Sequence, residues 1–226
     1  MFERLEKIIG KDNITKLKNT SVLIIGVGGV GGYTAEALAR TGIGRLILID
    51  KDTVDITNKN RQIIALDSTI GKSKVEVFKD RILDINKECN VEIENIFLNT
   101  DNTYEIIKKY NPDYVVDACD TITTKKEIIK ACISLNIKFI SSTGTGNRLD
   151  PSKLEIVDIR KTSYDKIAKI LRKFVKEEKI KEKVPVLYSK EESIKTHDRT
   201  PGSTAFVPAS AGLLIASYIF KKIIDE

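Results

Sequence analysis

The chain has 226 residues, 41% of them hydrophobic and 31% charged, with a net charge of +6 and a pI near 9.0. This is the profile of a soluble domain with enough chain for a sizeable core, and it excludes disordered and collagen-like classes. Three cysteines without CxxC spacing, Cys89, Cys119 and Cys132, argue against a disulfide framework and a zinc site of the usual kind; they fit a reducing cytoplasm as small buried apolar residues.

In chain order, the opening segment MFERLEKIIGKDN is charged and lacks the apolar core of a signal peptide. Residues 2–18 predict one or two short helices. Residues 21–25 are a short β-branched apolar run, followed at once by Gly26-Val27-Gly28-Gly29-Val30-Gly31. Residues 33–40 predict a helix and residues 45–50 a second apolar strand. Strand, glycine turn, helix, strand and terminal acid make the layout of a nucleotide-binding βαβ unit. One glycine permits the tight turn, one lets the backbone approach a phosphate, and one lets helix and strand pack closely. The helix N-terminus then offers free N–H groups and the positive end of its dipole to phosphate oxygens. Asp50 lies 24 residues after Gly26, about where this fingerprint puts a ribose-binding carboxylate. Alone, the motif does not choose between NAD, FAD and ATP.

Residues 57–69 have weak periodicity and read as a functional loop. Residues 72–86 predict a helix with Val75, Phe78, Ile82 and Ile85 on one face. Residues 91–98 are strand-like, and 103–110 are a short helix ended by Asn111-Pro112-Asp113. A parallel strand at 114–118, a helix at 123–135 and a strand at 138–141 follow, leading into the loop 142–150. The alternation implies an α/β fold with a Rossmann-like, doubly wound, mostly parallel sheet. After Pro151 the pattern changes. Residues 153–159 alternate as an added antiparallel strand would. Residues 164–179 predict an amphipathic helix with Tyr164, Ile167, Leu171, Phe174 and Val175 inward, and 184–188 a short strand. The polar stretch 189–202 is expected to be a mobile loop and 209–224 the last helix. Residues 201–220 carry no formal charge, but Pro208 interrupts them and their apolar part falls short of the roughly 20 residues a membrane span needs. No stable membrane insertion is expected; a buried helix at a subunit interface is.

Ligands in open α/β sheets sit outside the carboxyl ends of the strands. Those ends deliver Gly26, Gly28, Gly29 and Gly31, then Asp50 and Asp52. Asn58, Asn60, Arg61 and Gln62 come next, then Lys72 and Lys74 at a helix start, then Asp117-Ala118-Cys119-Asp120. Cationic Arg61 and Lys74 with acidic Asp120 suit a triphosphate and its magnesium; a nicotinamide enzyme has no need of two extra cations. Plainer readings stand beside these: a polar turn at 58–62, solvated lysines, and a helix cap at Asp120. Lysine in a helix's first turn is mildly unfavourable, so a nearby anion would explain it.

The segments GVGGVGGYTAEALARTGIGRLILIDKD, NKNRQ, GKSKVE and DACD resemble the ThiF/MoeB/HesA superfamily, bacterial relatives of ubiquitin-activating enzymes. SSTGTGNRLDPSKLEIVDIRKT and PGSTAFVPASAGLLIASYIFKKI are similar to its branch of tRNA threonylcarbamoyladenosine dehydratases. The resemblance implies one adenylating domain over 1–226, with N-terminal helices at 1–20, a nucleotide-binding core at 21–150 and a substrate and dimer part at 151–226. It implies ATP and Mg2+ as cofactors, a homodimer, a cytoplasmic location, and tRNA as substrate, with a cysteine desulfurase/SufE-like sulfur-transfer system as a further partner. Position by position, the four glycines match the phosphate loop and Asp50 the ribose acid. Arg61 and Lys74 match the phosphate-holding pair, and Asp120 the acid near magnesium. Arg4 matches an arginine that reaches the partner subunit's ATP; it is otherwise a surface residue of a first helix. Asp52, Asn58 and Gln62 fall with the nucleotide set. Residues 143–148, with Gly144, Thr145, Gly146 and Asn147 as the candidate substrate residues, form a loop that either meets the modified base or is an ordinary turn. The reaction implied is adenylation of the threonyl carboxylate, then attack by the substrate's own carbamoyl oxygen. The chain departs from other branches in lacking their CxxC pairs and late-loop cysteine, which counts against thioester chemistry, and residues 184–200 are short beside some dehydratases.

Residues 160–183 hold ten basic and four acidic residues, a net +6 equal to the whole chain's excess. This is either an RNA-facing helix or a solvated lysine-rich face. Tyr164 and Tyr188 are either stacking residues or core. His197 reads as a surface residue, not a general base. An adenylating activator of a sulfur-carrier protein and a nucleotide-binding protein without turnover are the competing functions.

Overall fold

The strand β1 (Ser21–Ile25) is buried along its whole length, as a β-branched run must be when both faces of a parallel sheet are covered. The computed structural model describes residues 1–196 and 200–225. Beside β1 lie β2 (Arg45–Ile49) and β4 (Tyr114–Asp117), both parallel to it. With β3 (Asn90–Glu94), β5 (Lys138–Ser142), β6 (Leu154–Asp158) and β7 (Pro185–Ser189), the sheet order is β3-β2-β1-β4-β5-β7-β6. Among the strands of the described residues, only β6 runs antiparallel, to β7. The order reverses between β1 and β4, which makes their carboxyl ends the topological switch point.

Alternate strand residues serve opposite faces. Val22, Ile24, Leu46 and Leu48 pack with Leu17 of α1 (Glu3–Lys18), Leu38 of α2 (Gly31–Thr41), Phe78 of α3 (Lys74–Ile85) and Ile215 of α7 (Phe206–Ile224). Leu23, Ile25, Ile47 and Ile49 pack with Ile107 of α4 (Thr103–Tyr110), Ile128 of α5 (Ile122–Ser134) and Leu171 of α6 (Lys166–Glu177). The doubly wound sheet expected from the alternation is the one observed, with its added antiparallel strand.

Several boundaries differ. The N-terminal segment is one helix broken at Gly10, whose φ of 80° and ψ of 164° no helix accommodates. β3 stops at Glu94, because β2 offers only five pairing residues, and residues 95–100 turn away as a loop. Tyr164 is not inward: it precedes α6 and is 67% exposed, while Leu171, Phe174 and Val175 are buried as expected. α7 is long and apolar enough by length and composition to cross a membrane, but it buries Ala211, Gly212, Ile215 and Ile219 against the protein. A side chain at Gly212 would begin 2.3 Å from the Val30 carbonyl oxygen, so only glycine lets α7 lie this close to α2. Cys89 and Cys132 are buried, and burial pushes the Cys89 thiol up to about 11.

Glu36, buried on α2, receives Arg40 and Arg81, each at 2.7 Å. Burial raises its pKa, but Arg81 and then Arg40 outweigh this and hold the carboxyl below its ordinary 4.5. The stabilisation is therefore present above 4.5 and lost as pH falls through the lower folded value. Glu36→Gln should cost about 1–2 kcal/mol at neutral pH, and the deficit should shrink in acid. Urea midpoints across pH measure this; a deficit that ignores pH rules it out.

Candidate active site

The carboxyl ends of β1, β2, β4 and β5 open onto a cavity of about 520 Å³, a volume in the range of small-ligand sites. Its first wall is the glycine turn. Gly26 has φ of 84°, and a side chain at Gly31 would begin 1.9 Å from the Gly26 carbonyl oxygen. The turn can thus fold flat against the start of α2, leaving Gly28 and Gly29 on the cavity surface. Asp50 braces this turn: Oδ2 accepts from Val27 N at 2.9 Å and Oδ1 from Asp52 N at 2.9 Å. Its carboxylate keeps further lone pairs for a ligand hydroxyl.

Lys74, the first residue of α3, is only 5% exposed. Its backbone N–H donates to the Asp52 carbonyl and its Nζ reaches Asp52 Oδ2 at 3.0 Å. Asp52 itself stands half in solvent. Lys72 is exposed and lies off the cavity wall, so the structure separates the two lysines. Arg61 is positioned by its own loop, Nη1 donating to Thr57 O at 2.9 Å and Asn60 Oδ1 at 2.8 Å. That loop is held by a capping box in which Asn58 Oδ1 accepts from Asp55 N at 3.2 Å. Gln62 is buried on the cavity wall, and its Oε1 has no hydrogen-bond partner. An orphaned buried acceptor at a cavity wall is what a ligand donor would satisfy.

Asp120 is exposed at the cavity edge and accepts from Thr121 Oγ1 at 3.3 Å. It is not the helix cap: Thr121 holds the N-cap position of α5, without a side-chain cap bond. Below it, Asp117 and Lys125 form a fully buried ion pair at 3.0 Å. Asp117 also accepts from Ser141 Oγ at 2.5 Å, and Lys125 also donates to Ser142 O at 2.7 Å. Cys119 lies on the wall, its thiol pushed up by burial and then by the Asp117 charge. Sequence reasoning missed Lys125; the available signal was a lysine eight residues after an acid that ends a buried strand.

Gly144, Thr145 and Gly146 line the cavity, and Asn147 does not. Asn147 instead takes φ of 57°, accepts from Gly202 N at 2.6 Å and donates its own N–H to Gly202 O. Arg148, the end of the loop read as meeting the modified base or as an ordinary turn, is instead buried against Asp165 at 2.9 Å. The described part of the loop after β7 is tied down: Glu191 accepts from Leu149 N and Asp150 N, and Ile194 N donates to Asn147 O. His197 lies outside the described residues. Arg4 is exposed on α1, next to Phe2, whose ring touches Gly42 at the far end of α2. That end is roughly 16 Å from the glycine turn along the helix, so Arg4 is not brought to its own chain's cavity.

The ThiF family profile matches residues 2–226. The chain belongs to the ThiF family. This ThiF-family chain is 43% identical over 242 aligned residues to the tRNA threonylcarbamoyladenosine dehydratase of Bacillus subtilis (strain 168), covering 100% of this chain and 95% of that protein. Against the tRNA threonylcarbamoyladenosine dehydratase of Escherichia coli (strain K12) the identity is 37% over 175 residues, 77% of this chain and 65% of the other. The fold is similar to the crystal structure of the E. coli tRNA N6-threonylcarbamoyladenosine dehydratase TcdA in complex with ATP, with a TM-score of 0.92 at 33% identity over 99% of this chain and 93% of that one. The complex of TcdA with AMP gives 0.91 at 33% identity, over 97% and 92%.

The buried pair under the cavity has a testable cost. Lys125→Met leaves Asp117 buried without its counter-ion, which should destabilise the fold by about 3–5 kcal/mol. Adding Asp117→Asn should recover part of that loss. Denaturant titration of both variants decides; a harmless single variant, or a double variant worse than the single, contradicts the pair's role.

Proposed function

We propose that the chain is an ATP-dependent tRNA threonylcarbamoyladenosine dehydratase, acting as a single adenylating unit over residues 1–226. The observation that carries the reading is Lys74, a desolvated cation facing the same cavity as Arg61 and the glycine turn, in a chain similar along its full length to a dehydratase. A buried ammonium with a half-exposed partner is poised for a stronger anion. The phosphates of ATP fit there because the turn admits close backbone approach, while the unpartnered Gln62 Oε1 calls for a donor, which a ribose hydroxyl or the adenine amino group would supply. Asp50 would accept the ribose hydroxyls with its remaining lone pairs. Asp120 would hold magnesium, as one carboxylate sharing the ion with substrate phosphates.

The chemistry asks the protein for placement and charge neutralisation. The threonyl carboxylate of the modified adenosine attacks the α-phosphorus, and pyrophosphate leaves. The carbamoyl oxygen of the same substrate then attacks the activated carbonyl carbon and expels AMP, closing the ring. Arg61 and Lys74 neutralise charge on the phosphates. Gly144, Thr145 and Gly146 shape the acceptor side of the cavity, and Asn147 holds that loop against residue 202. The enzyme works as a homodimer in the cytoplasm, with Arg4 of each subunit serving its neighbour's ATP. α7 is a packing helix that does not insert into membrane, and a sulfur-transfer system is a further partner.

With ATP and magnesium, the protein should release AMP on tRNA carrying threonylcarbamoyladenosine and not on a carrier protein ending in Gly-Gly; the reverse pattern makes it a carrier activator. Lys74→Ala and Arg61→Ala should each lower AMP formation roughly a hundred-fold or more while circular dichroism stays native. Full activity in both sinks the phosphate assignment. Mixing Arg4→Ala with Lys74→Ala protein should restore part of the activity, because one site of the mixed dimer is intact; no recovery despite proven subunit exchange removes the role in trans.

A further inference from the structure

On α6, Lys166, Lys169, Lys173 and Lys176 follow one another at steps of three, four and three residues, all exposed. That spacing puts them on one stripe of the helix, roughly 15 Å long. The opposite face buries Ala168, Leu171, Phe174 and Val175. Lys173 has an exposed partner, Glu177, at 3.6 Å. Among the described residues, Lys166, Lys169 and Lys176 have none. The stripe starts at the cavity, since Ile167 lines it. Just before the helix stands Tyr164, 67% exposed and held at φ of 52°. Large side chains seldom take that backbone conformation, and among the described residues no packing explains a tyrosine there.

We propose that this stripe and Tyr164 form the track on which the substrate tRNA lies. The lysines contact successive backbone phosphates, and Tyr164 stacks on a base beside the nucleotide whose acid enters the cavity. The inference rests on the tRNA reading above and adds where and how the RNA is held. Point-charge ammonium groups with one exposed ring suit a polyanion with stackable bases; the centre of a protein interface is depleted in lysine.

The test compares the full-length wild type with the variant carrying Lys166→Gln, Lys169→Gln and Lys176→Gln. Binding of unmodified tRNA transcript is measured across salt, and AMP release on modified tRNA alongside. The variant should bind at least ten-fold more weakly, with the slope of log K against log salt shallower by about two to three. Its KM for tRNA should rise while its Kd for ATP holds. Tyr164→Asn should raise the KM for tRNA about five-fold or more with no loss of thermal stability, since asparagine accepts the left-handed backbone. An unchanged slope and KM in the triple variant overturn the track and leave the dehydratase reading intact. If the wild type releases no AMP on modified tRNA, that reading fails, and the salt slope alone still decides the track. A triple variant that loses binding of an acidic carrier protein, with tRNA binding untouched, also overturns it.

Discussion

A lysine and a carboxylate taken wholly out of water hold the floor of the cavity together. Either ion alone in that position would cost several kcal/mol. As a pair, with Ser141 Oγ on Asp117 and the Ser142 carbonyl on Lys125, each ion also has a neutral hydrogen-bond partner. The consequence is geometric. Asp117 ends β4, Ser141 and Ser142 end β5, and Lys125 stands on α5, so one ionic centre fixes three elements relative to each other. The chain leaves β4 towards Asp120 and β5 towards Gly144, and both walls of the site hang from this point.

The charges that face the cavity are arranged otherwise. Lys125 is spent on structure, whereas Lys74 is buried yet holds only a carboxylate that water reaches. Arg61 is aimed by the hydrogen bonds of its own loop to Thr57 and Asn60. Positive charge fixed before the ligand arrives needs little reorganisation when charge moves on a phosphate, which is where preorganisation counts.

The sheet was legible because its signals are local. A β-branched run, a glycine turn and a helix read as one unit, and the alternation that follows permits few topologies. The glycine turn, Asp50, Lys74 and Asp120 were legible for the same reason, each lying within a few residues of a strand end. Lys125 was not: on a helix it looks like any lysine until Asp117 is found beneath it. Arg148 and Asp165 meet only because the loop after β5 folds onto the start of α6, where Thr143 also bonds Asp165. Asn147 was placed with the ligand loop on composition, but its partner is Gly202, 55 residues on. Tyr164 followed the helical period of 167, 171 and 174, yet the helix starts at Lys166, and its cap Asp165 turns the chain before the period can apply.

The thiols bear on the chemistry that such a site permits. Cys119 lines the cavity, but burial and the neighbouring Asp117 charge keep it protonated, and a thiol so held is a poor nucleophile. This fits the proposed reading, in which an activated acyl group passes directly to an acceptor that the substrate itself brings. Intramolecular attack needs orientation above all. The wall that would supply it is anchored at both ends: Gly144–Gly146 lies between the buried Thr143, bonded to Asp165 and Leu187 O, and Asn147, bonded to Gly202. A short backbone wall anchored at both ends can hold a substrate in one pose without a side chain taking part in the bond changes, which is the demand that ring closure makes of an enzyme.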